Sequence, residues 1–365
     1  MQVLFARPRL TIDITPLLED QWTGIPVFTR RLVQALLRHG GVDLTFAHSL
    51  VRVPPALVLA ALRMGTGSFL REALARAAPD ERELIDPASP LLFPSVKGRQ
   101  SVGGREASTV HDMSPLYMPE HHEAANVAWH LDHLGAELAS DEAVFCASVA
   151  TRTALLAAYP QAAAKARLLY QYVDWPDTFA ALERNQPALR LGRYAAVVGT
   201  IEPRKNLQLL IAALAQPELA RSRMRFVVIG RQGWLTGEFL AGLAPPVRER
   251  LLFSGFVSEF VKYRLLRGAA FLVYPSLYEG FGIPALEAMS LGKPVLAARS
   301  SSFPEVVGDA GVYFDPLSPS EFAAGFAELD TPSRLAELAP LARAQAARFG
   351  WQLMAAPVVA WVGER

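Results

Sequence analysis

Two glutamates, Glu279 and Glu287, sit in the run Pro275-Ser-Leu-Tyr-Glu-Gly-Phe-Gly-Ile-Pro-Ala-Leu-Glu-Ala-Met289. An apolar strand ends at Pro275, and a loop carrying Glu279, Gly280, Phe281 and Gly282 follows. Pro284 then opens a helix that stops near Leu291 and Gly292. Glycines allow a backbone to come close to a ligand, and the free N–H groups of a helix start attract phosphate. A carboxylate at such a place can take two hydrogen bonds from a ribose diol. A lone glutamate would more simply cap or solvate a helix; the whole string argues for a ligand.

Three further segments place polar groups directly after strands. In Val198-Gly-Thr-Ile-Glu-Pro-Arg-Lys-Asn206 a strand ends at Gly199 and a helix starts near Asn206. Arg204 and Lys205 there suit a diphosphate through charge-assisted hydrogen bonds. In Thr109-Val-His-Asp-Met-Ser-Pro115 the pair His111-Asp112 ends a strand, although a satisfied core histidine fits this pair alone. Trp22-Thr-Gly-Ile-Pro26 sets Gly24 in the first strand-to-helix loop. No D-x-D signature and no Cys/His cluster with ligand spacing occurs, so no metal is expected.

Alternating strands and helices must position these groups. In the second half, strands are predicted at Tyr194-Gly199, Arg225-Gly230, Leu251-Phe256, Ala270-Pro275, Pro294-Ala298 and Gly311-Phe314. Leu207, Leu210, Ile211 and Leu214 recur at helical spacing. In the first half, strands are predicted at Leu10-Ile14, Leu44-Ala47, Leu91-Phe93, Ser108-Val110, Ala143-Ala147 and Ala166-Tyr170, with a helix over Pro26-Arg38 stopped by Gly40. Alternation of this kind implies parallel sheets covered by helices, with ligands at the carboxyl ends of the strands. Val173-Arg193, with Pro176, Pro187 and Gly192, reads as a linker.

The chain's 365 residues are enough for two domains. Hydrophobic residues make up 51% and charged residues 19%, which supplies two packed cores. The net charge of +1 gives no footprint for nucleic acid. The single cysteine, Cys146, lies in an apolar run and rules out an intrachain disulfide. This suits a cytoplasmic location. No signal peptide is evident, and no apolar run reaches the length of a spanning helix.

The segment Glu279–Glu287 resembles the E-x7-E signature of retaining glycosyltransferases of family 4, which have the GT-B fold. The element from Gly199 to Asn206 resembles that family's G-x-x-x-x-R-K-N run, and His111-Asp112 its H-D pair. Gly24 matches a glycine of the family's first loop, where this chain has Thr-Gly rather than Gly-Gly. Ser301-Ser-Phe-Pro-Glu305 resembles the turn after the E-x7-E helix. The resemblance covers nearly the whole chain and is richest in motifs from Tyr194 to Phe314.

It implies an α/β GT-B architecture of two doubly wound Rossmann-like domains facing a central cleft. Residues 1–175 would form an acceptor-side domain, joined by a C-terminal crossing helix at about 350–365. Residues 190–349 would bind the nucleotide sugar. It also implies a retaining hexosyltransferase in which Glu279 lies near the transferred sugar and pyrophosphate, and the missing D-x-D with Arg204 and Lys205 in its place makes metal-independent transfer the expectation. Glu287 would bind the ribose hydroxyls, Arg204 and Lys205 would clamp the pyrophosphate, and His111 would lie beside the sugar. Gly24, Gly280, Phe281 and Gly282 complete the expected donor site, with no cofactor beyond the nucleotide sugar.

Asp13-Ile-Thr-Pro-Leu with Thr23-Gly-Ile looks like bacterial surface-polysaccharide mannosyltransferases. GDP-mannose is therefore the first expectation for the donor and a growing polysaccharide or lipid-linked glycan for the acceptor. GDP-fucose and UDP-hexoses stay open. A sugar-nucleotide epimerase of the same fold would lack the E-x7-E string with R-K-N. A phosphorylase would need a lysine-bound pyridoxal phosphate, and a binding module would turn over no donor. Residues 51–82 carry Arg52, Arg63, Arg71 and Arg76 on expected helices. They read either as a basic amphipathic surface for the cytoplasmic membrane face or as a solvated helical insertion. The oligomeric state is open.

Overall fold

The computed structural model describes residues 7–76, 83–98, 101–233, 237 and 241–364. The chain divides into two compact units, residues 1–172 with 350–365, and residues 173–349.

The first unit holds a seven-stranded sheet in the order β3-β2-β1-β4-β5-β6-β7. Its strands are β1 (Arg9–Asp13), β2 (Asp43–His48), β3 (Val51–Val53), β4 (Leu91–Leu92), β5 (Glu106–Val110), β6 (Ala143–Cys146) and β7 (Ala166–Leu168). All pair in parallel except β3, which runs antiparallel to β2 with Phe46 opposite Val53. Sequence periodicity misses β3 because three residues carry no readable alternation.

The helix Ile25–His39 follows β1. It ends where Gly40 takes a left-handed conformation and its N–H bonds the Leu36 carbonyl. Phe28, Leu32 and Leu36 recur at helical spacing and are all buried. The C-terminal helix Trp351–Gly363 belongs to this unit too. Trp361 is fully buried, its ring meets Phe145 edge-on at 6.1 Å, and Arg105 bonds its carbonyl at 2.8 Å.

The helices expected within 51–82 are found at Pro55–Met64 and Ser68–Arg76 and carry Arg63, Arg71 and Arg76, whereas Arg52 lies on the short strand β3; residues 77–82 lie outside the described residues. Arg71 pairs with Asp20 at 2.8 Å, Arg52 with Glu83 at 2.9 Å and Arg76 with Glu72 at 3.7 Å. Three of the four arginines thus have acidic partners, which weakens the basic face that anionic lipid would need. Among the described residues no helix is long and apolar enough to cross a membrane.

The second unit holds a six-stranded, all-parallel sheet in the order β10-β9-β8-β11-β12-β13. Its strands are β8 (Tyr194–Val198), β9 (Arg225–Ile229), β10 (Leu251–Gly255), β11 (Leu272–Tyr274), β12 (Val295–Ala298) and β13 (Gly311–Phe314). β8 is buried along its whole length, as a central parallel strand covered on both faces must be. Counted within the unit, the order is 3-2-1-4-5-6, which reverses direction between β8 and β11. The first unit reverses likewise between β1 and β4.

Val173-Arg193, expected as a linker, contains the helix Asp177–Arg184 and belongs to the second unit. Phe179 packs edge-on against Phe260 at 5.2 Å and Tyr263 at 5.5 Å, and Trp175 against Tyr263 at 5.4 Å. The prolines suggested a loop, but Pro176 only precedes the first helical turn, where its missing N–H costs nothing. The unit boundary therefore falls at Tyr172/Val173.

Candidate active site

In the second unit the two loops at the topological reversal carry the charges. Gly199 to Asn206 follows β8, and a 3-10 turn over Pro203–Lys205 presents Arg204 and Lys205. Pro275 to Gly282 follows β11. Asn206 takes a left-handed conformation, and its side-chain amide donates to the carbonyls of Pro275 at 3.2 Å and Pro316 at 2.8 Å. The Leu277 N–H bonds the Arg204 carbonyl at 2.9 Å. One asparagine and one backbone bond thus lock the two loops together.

Gly230 shows why the neighbouring loop needs a glycine. A Cβ there would stand 2.0 Å from the Gly199 carbonyl oxygen. Beyond it, the Gly233 N–H bonds the Ile201 carbonyl at 3.0 Å, and the Ile201 N–H bonds the Arg231 carbonyl at 3.0 Å.

Glu279 is the counter-ion of the cationic pair. Its Oε1 lies 2.5 Å from Lys205 Nζ and its Oε2 3.6 Å from an Arg204 guanidinium nitrogen. Arg204 also bonds the Tyr278 carbonyl at 2.7 Å and Glu202 at 2.9 Å. Burial pushes the Glu279 carboxyl up, but Lys205 and Arg204 together outweigh it and hold it below its ordinary range. The Tyr274 ring lies 5.9 Å below Lys205 Nζ. Burial first, and Glu279 second, push its phenol well up, so it stays neutral.

The Glu279 backbone is clamped by serines. Its N–H donates to Ser301 Oγ at 2.8 Å, and Ser302 Oγ donates to its carbonyl at 2.9 Å. The sequence marked Ser301 and Ser302 only as part of a turn; the structure makes them the support of the loop carboxylate.

Gly282 has φ +90° and precedes the helix Ile283–Ser290. A side chain there would be strained and would crowd Phe303 at 3.2 Å. Phe281 is buried, with its ring edge-on to Phe349 at 5.5 Å. What Phe281 can offer a ligand is its backbone, beside Gly280. Glu287 lies on the helix with a side chain only 1% exposed, and its Oε1 takes a 2.7 Å ion pair from Lys262 Nζ. Lys262, on the helix Glu259–Gly268, carried no signal in the sequence beyond its charge.

In the first unit, His111 directly follows β5, and Gly24 ends the long connection from β1 to the first helix. Gly24, at φ +46°, begins the helix Ile25–His39. Phe28 of that helix meets the His111 ring edge-on at 4.6 Å. His111 Nε2 lies 2.7 Å from the Pro94 carbonyl in the loop after β4. A carbonyl only accepts, so Nε2 carries the proton and Nδ1 is the ring's acceptor. Burial pulls the imidazole below its ordinary range, more than the Pro94 carbonyl and Asp112 raise it. His111 is accordingly neutral at pH 7. Nitrogen-15 NMR of the histidines will show His111 as the Nε2–H tautomer, titrating below the ordinary value of about 6.5. A midpoint at or above that value would contradict this assignment. Asp112 caps the next turn, taking the Ser114 N–H at 2.9 Å and the Ser114 hydroxyl at 2.7 Å.

Arg204, Lys205, Glu279, Gly280, Phe281, Gly282 and Glu287 thus gather in one unit, and His111 and Gly24 in the other. Chemically, the second unit offers two cations held on a buried carboxylate beside a glycine-flanked helix start. The first offers a neutral imidazole with a defined acceptor nitrogen.

Known proteins resemble this chain in sequence and in fold. The family described as "Glycosyl transferases group 1" matches residues 183–337. The O-antigen chain mannosyltransferase B of Escherichia coli is 31% identical over 258 residues, covering 68% of this chain and 67% of the relative. Sucrose-phosphate synthase from Thermosynechococcus elongatus superposes with a TM-score of 0.70 at 19% identity, covering 97% of this chain and 98% of that one. Anabaena HepE in complex with UDP and glucose superposes with a TM-score of 0.63 at 17% identity, covering 98% and 99%. With its two doubly wound units in the GT-B fold, the chain belongs to the glycosyl transferases group 1 family and resembles the polysaccharide mannosyltransferases within it.

Proposed function

We propose that this protein is a retaining hexosyltransferase that moves mannose from GDP-mannose to a growing polysaccharide or lipid-linked glycan, without a metal, in the cytoplasm. The observation that carries the reading is the Arg204–Lys205–Glu279 cluster at the reversal between β8 and β11. A nucleotide diphosphate laid there meets two cations and a helix start, and Glu287 lies along the same helix for the ribose. Arg204 and Lys205 stabilise the charge that develops on the departing diphosphate, which is the work a divalent cation does elsewhere. Backbone N–H groups at Gly280, Phe281 and Gly282 approach the phosphates, and Gly24 serves the donor phosphate and acceptor from the first unit.

Retention follows a front-face path. The bond from the sugar C1 to the phosphate oxygen breaks while the bond from C1 to the acceptor oxygen forms on the same face. The acceptor's proton passes to the departing phosphate oxygen. His111 Nδ1 accepts a hydrogen bond from a hydroxyl of the transferred sugar and fixes its orientation.

Mannose is favoured by the 31% identity to an O-antigen mannosyltransferase. The complex of HepE with UDP and glucose supports a UDP-hexose as the second reading, on fold likeness at 17% identity. A thermal-shift panel of GDP-, UDP- and dTDP-sugars separates them. GDP-mannose at a hundred times its Kd is expected to stabilise the protein by about 2.7 kcal/mol. A shift with UDP-sugars alone would reject the guanine reading. Transfer is expected to continue unchanged in excess EDTA; full loss, restored by magnesium or manganese, would reject the metal-free reading.

A further inference from the structure

The Glu287 side chain is almost fully buried, and Lys262 brings a cation to it. Lys262 Nζ lies 2.7 Å from Glu287 Oε1, with side-chain exposures of 21% and 1% respectively. The pair is enclosed further. Lys262 Nζ sits 5.7 Å over the Trp175 ring, and the Trp175 indole N–H donates to Ser290 Oγ at 2.9 Å. Ser290 Oγ in turn donates to the Glu287 carbonyl at 2.7 Å. Tyr263, next to Lys262 in sequence, is buried against the same Trp175 ring at 5.4 Å. Three segments far apart in sequence, at Trp175, Lys262 and Glu287–Ser290, thus meet around one ion pair.

A diol is recognised by two hydrogen bonds, so the plane of the carboxylate matters as much as its presence. A buried carboxylate also needs a compensating charge, and its loss leaves an uncompensated ion. Lys262 supplies both: it neutralises Glu287 and fixes one of its oxygens. Resting on the reading of Glu287 as the ribose ligand, we propose that Lys262 is a positioning residue of the donor site and acts through Glu287. A ribose then meets a carboxylate already paired and already oriented.

The test is a double-mutant cycle read by calorimetry, with GDP or UDP as probe, whichever the wild-type protein binds more tightly. Lys262→Met is expected to weaken binding about tenfold, within the range of couplings between contacting residues. Lys262→Arg should recover most of that loss. In a Glu287→Gln background, Lys262→Met should cost nothing more. In steady state, Lys262→Met should raise the donor KM more than it lowers kcat. A purely structural role would instead lower the melting temperature and the active fraction and leave KM alone. If Lys262→Met does not fold, Lys262→Gln is read the same way.

Wild-type affinity in Lys262→Met overturns the proposal. Additive losses in the double variant also overturn it, since Lys262 would then bind the nucleotide on its own account. Wild-type affinity in Glu287→Gln is a different failure: it removes the ribose role of Glu287, and the proposal with it.

Discussion

Glu279→Gln will lower kcat by about a hundredfold or more while changing donor affinity only a few-fold, the scale on which a preorganised electrostatic group acts. The amide has nearly the shape of the carboxylate, and the serine clamp on the Glu279 backbone, from Ser301 and Ser302, does not involve the side chain. What is lost is the charge that holds Lys205 at 2.5 Å and Arg204 at 3.6 Å. The two cations then relax toward a bound diphosphate in the ground state. Their aim at the charge that develops only as the sugar departs is lost, and that aim is what accelerates the reaction. Single-turnover rates beside calorimetric Kd values for both proteins check this. A kcat within threefold of wild type, or a loss carried wholly by Kd, would reject the role. Because the cations hold this carboxyl below its ordinary range, its titration should not shape the activity profile above about pH 5. By linkage, a lowered carboxyl contributes stability above its unfolded value that is lost as the pH falls through its folded one.

Lys97→Met should produce the largest loss of stability, about 3–5 kcal/mol, because it strips the cation from a buried charge cluster. In the first unit, Lys97 Nζ bonds Glu106 at 2.7 Å, Asp141 at 2.6 Å and Ser140 at 3.0 Å, and its side chain is fully buried. The Glu137 carboxylate takes the backbone N–H groups of Lys97 at 2.7 Å and Gly98 at 2.6 Å. Two carboxylates thus share one ammonium, and a third is held on the adjoining backbone. Methionine fills the volume of the lysine stem but leaves the acids uncompensated. The first unit's transition should fall by roughly 6–20 °C.

Burial raises both the Glu137 and the Asp141 carboxyl in the wild-type protein, against the lowering pull of Lys97 and the backbone N–H groups. A carboxyl raised in the folded state contributes stability that is present at low pH and lost as the pH rises through its folded value. Losing Lys97 accentuates this, so Lys97→Met should recover part of its deficit between pH 8 and pH 5.5. Equal melting of the two proteins at pH 8, or a deficit that deepens on acidification, would sink the account.

Much of the site could be read along the chain. Arg204-Lys205-Asn206 and Glu279 to Glu287 each lie within one strand, loop and helix. Local rules decide such segments: an apolar strand, a glycine with positive φ at position 282, a proline in the first helical turn, a left-handed stop at Gly292. Alternation of strand and helix was enough for the parallel sheets, because a parallel strand buried on both faces must be apolar throughout.

What stayed hidden were pairings across long sequence separations. Glu279 meets Lys205 across 74 residues, Lys262 meets Glu287 across 25, and Lys97 meets Asp141 across 44. No local periodicity encodes these. In a sequence, Lys262 and Lys97 look like surface lysines; only tertiary packing buries Lys97 fully and Lys262 largely and brings each its acidic partner. The same holds for Phe281, a loop residue by sequence whose ring is drawn inward by Phe349, and for Val173-Arg193, whose prolines signal a linker until Trp175 and Phe179 find Tyr263. Sequence determined which groups are offered at the ends of strands, because secondary structure is set by neighbours. Tertiary structure decided which of them share a charge, because burial acts only when distant segments close on one another.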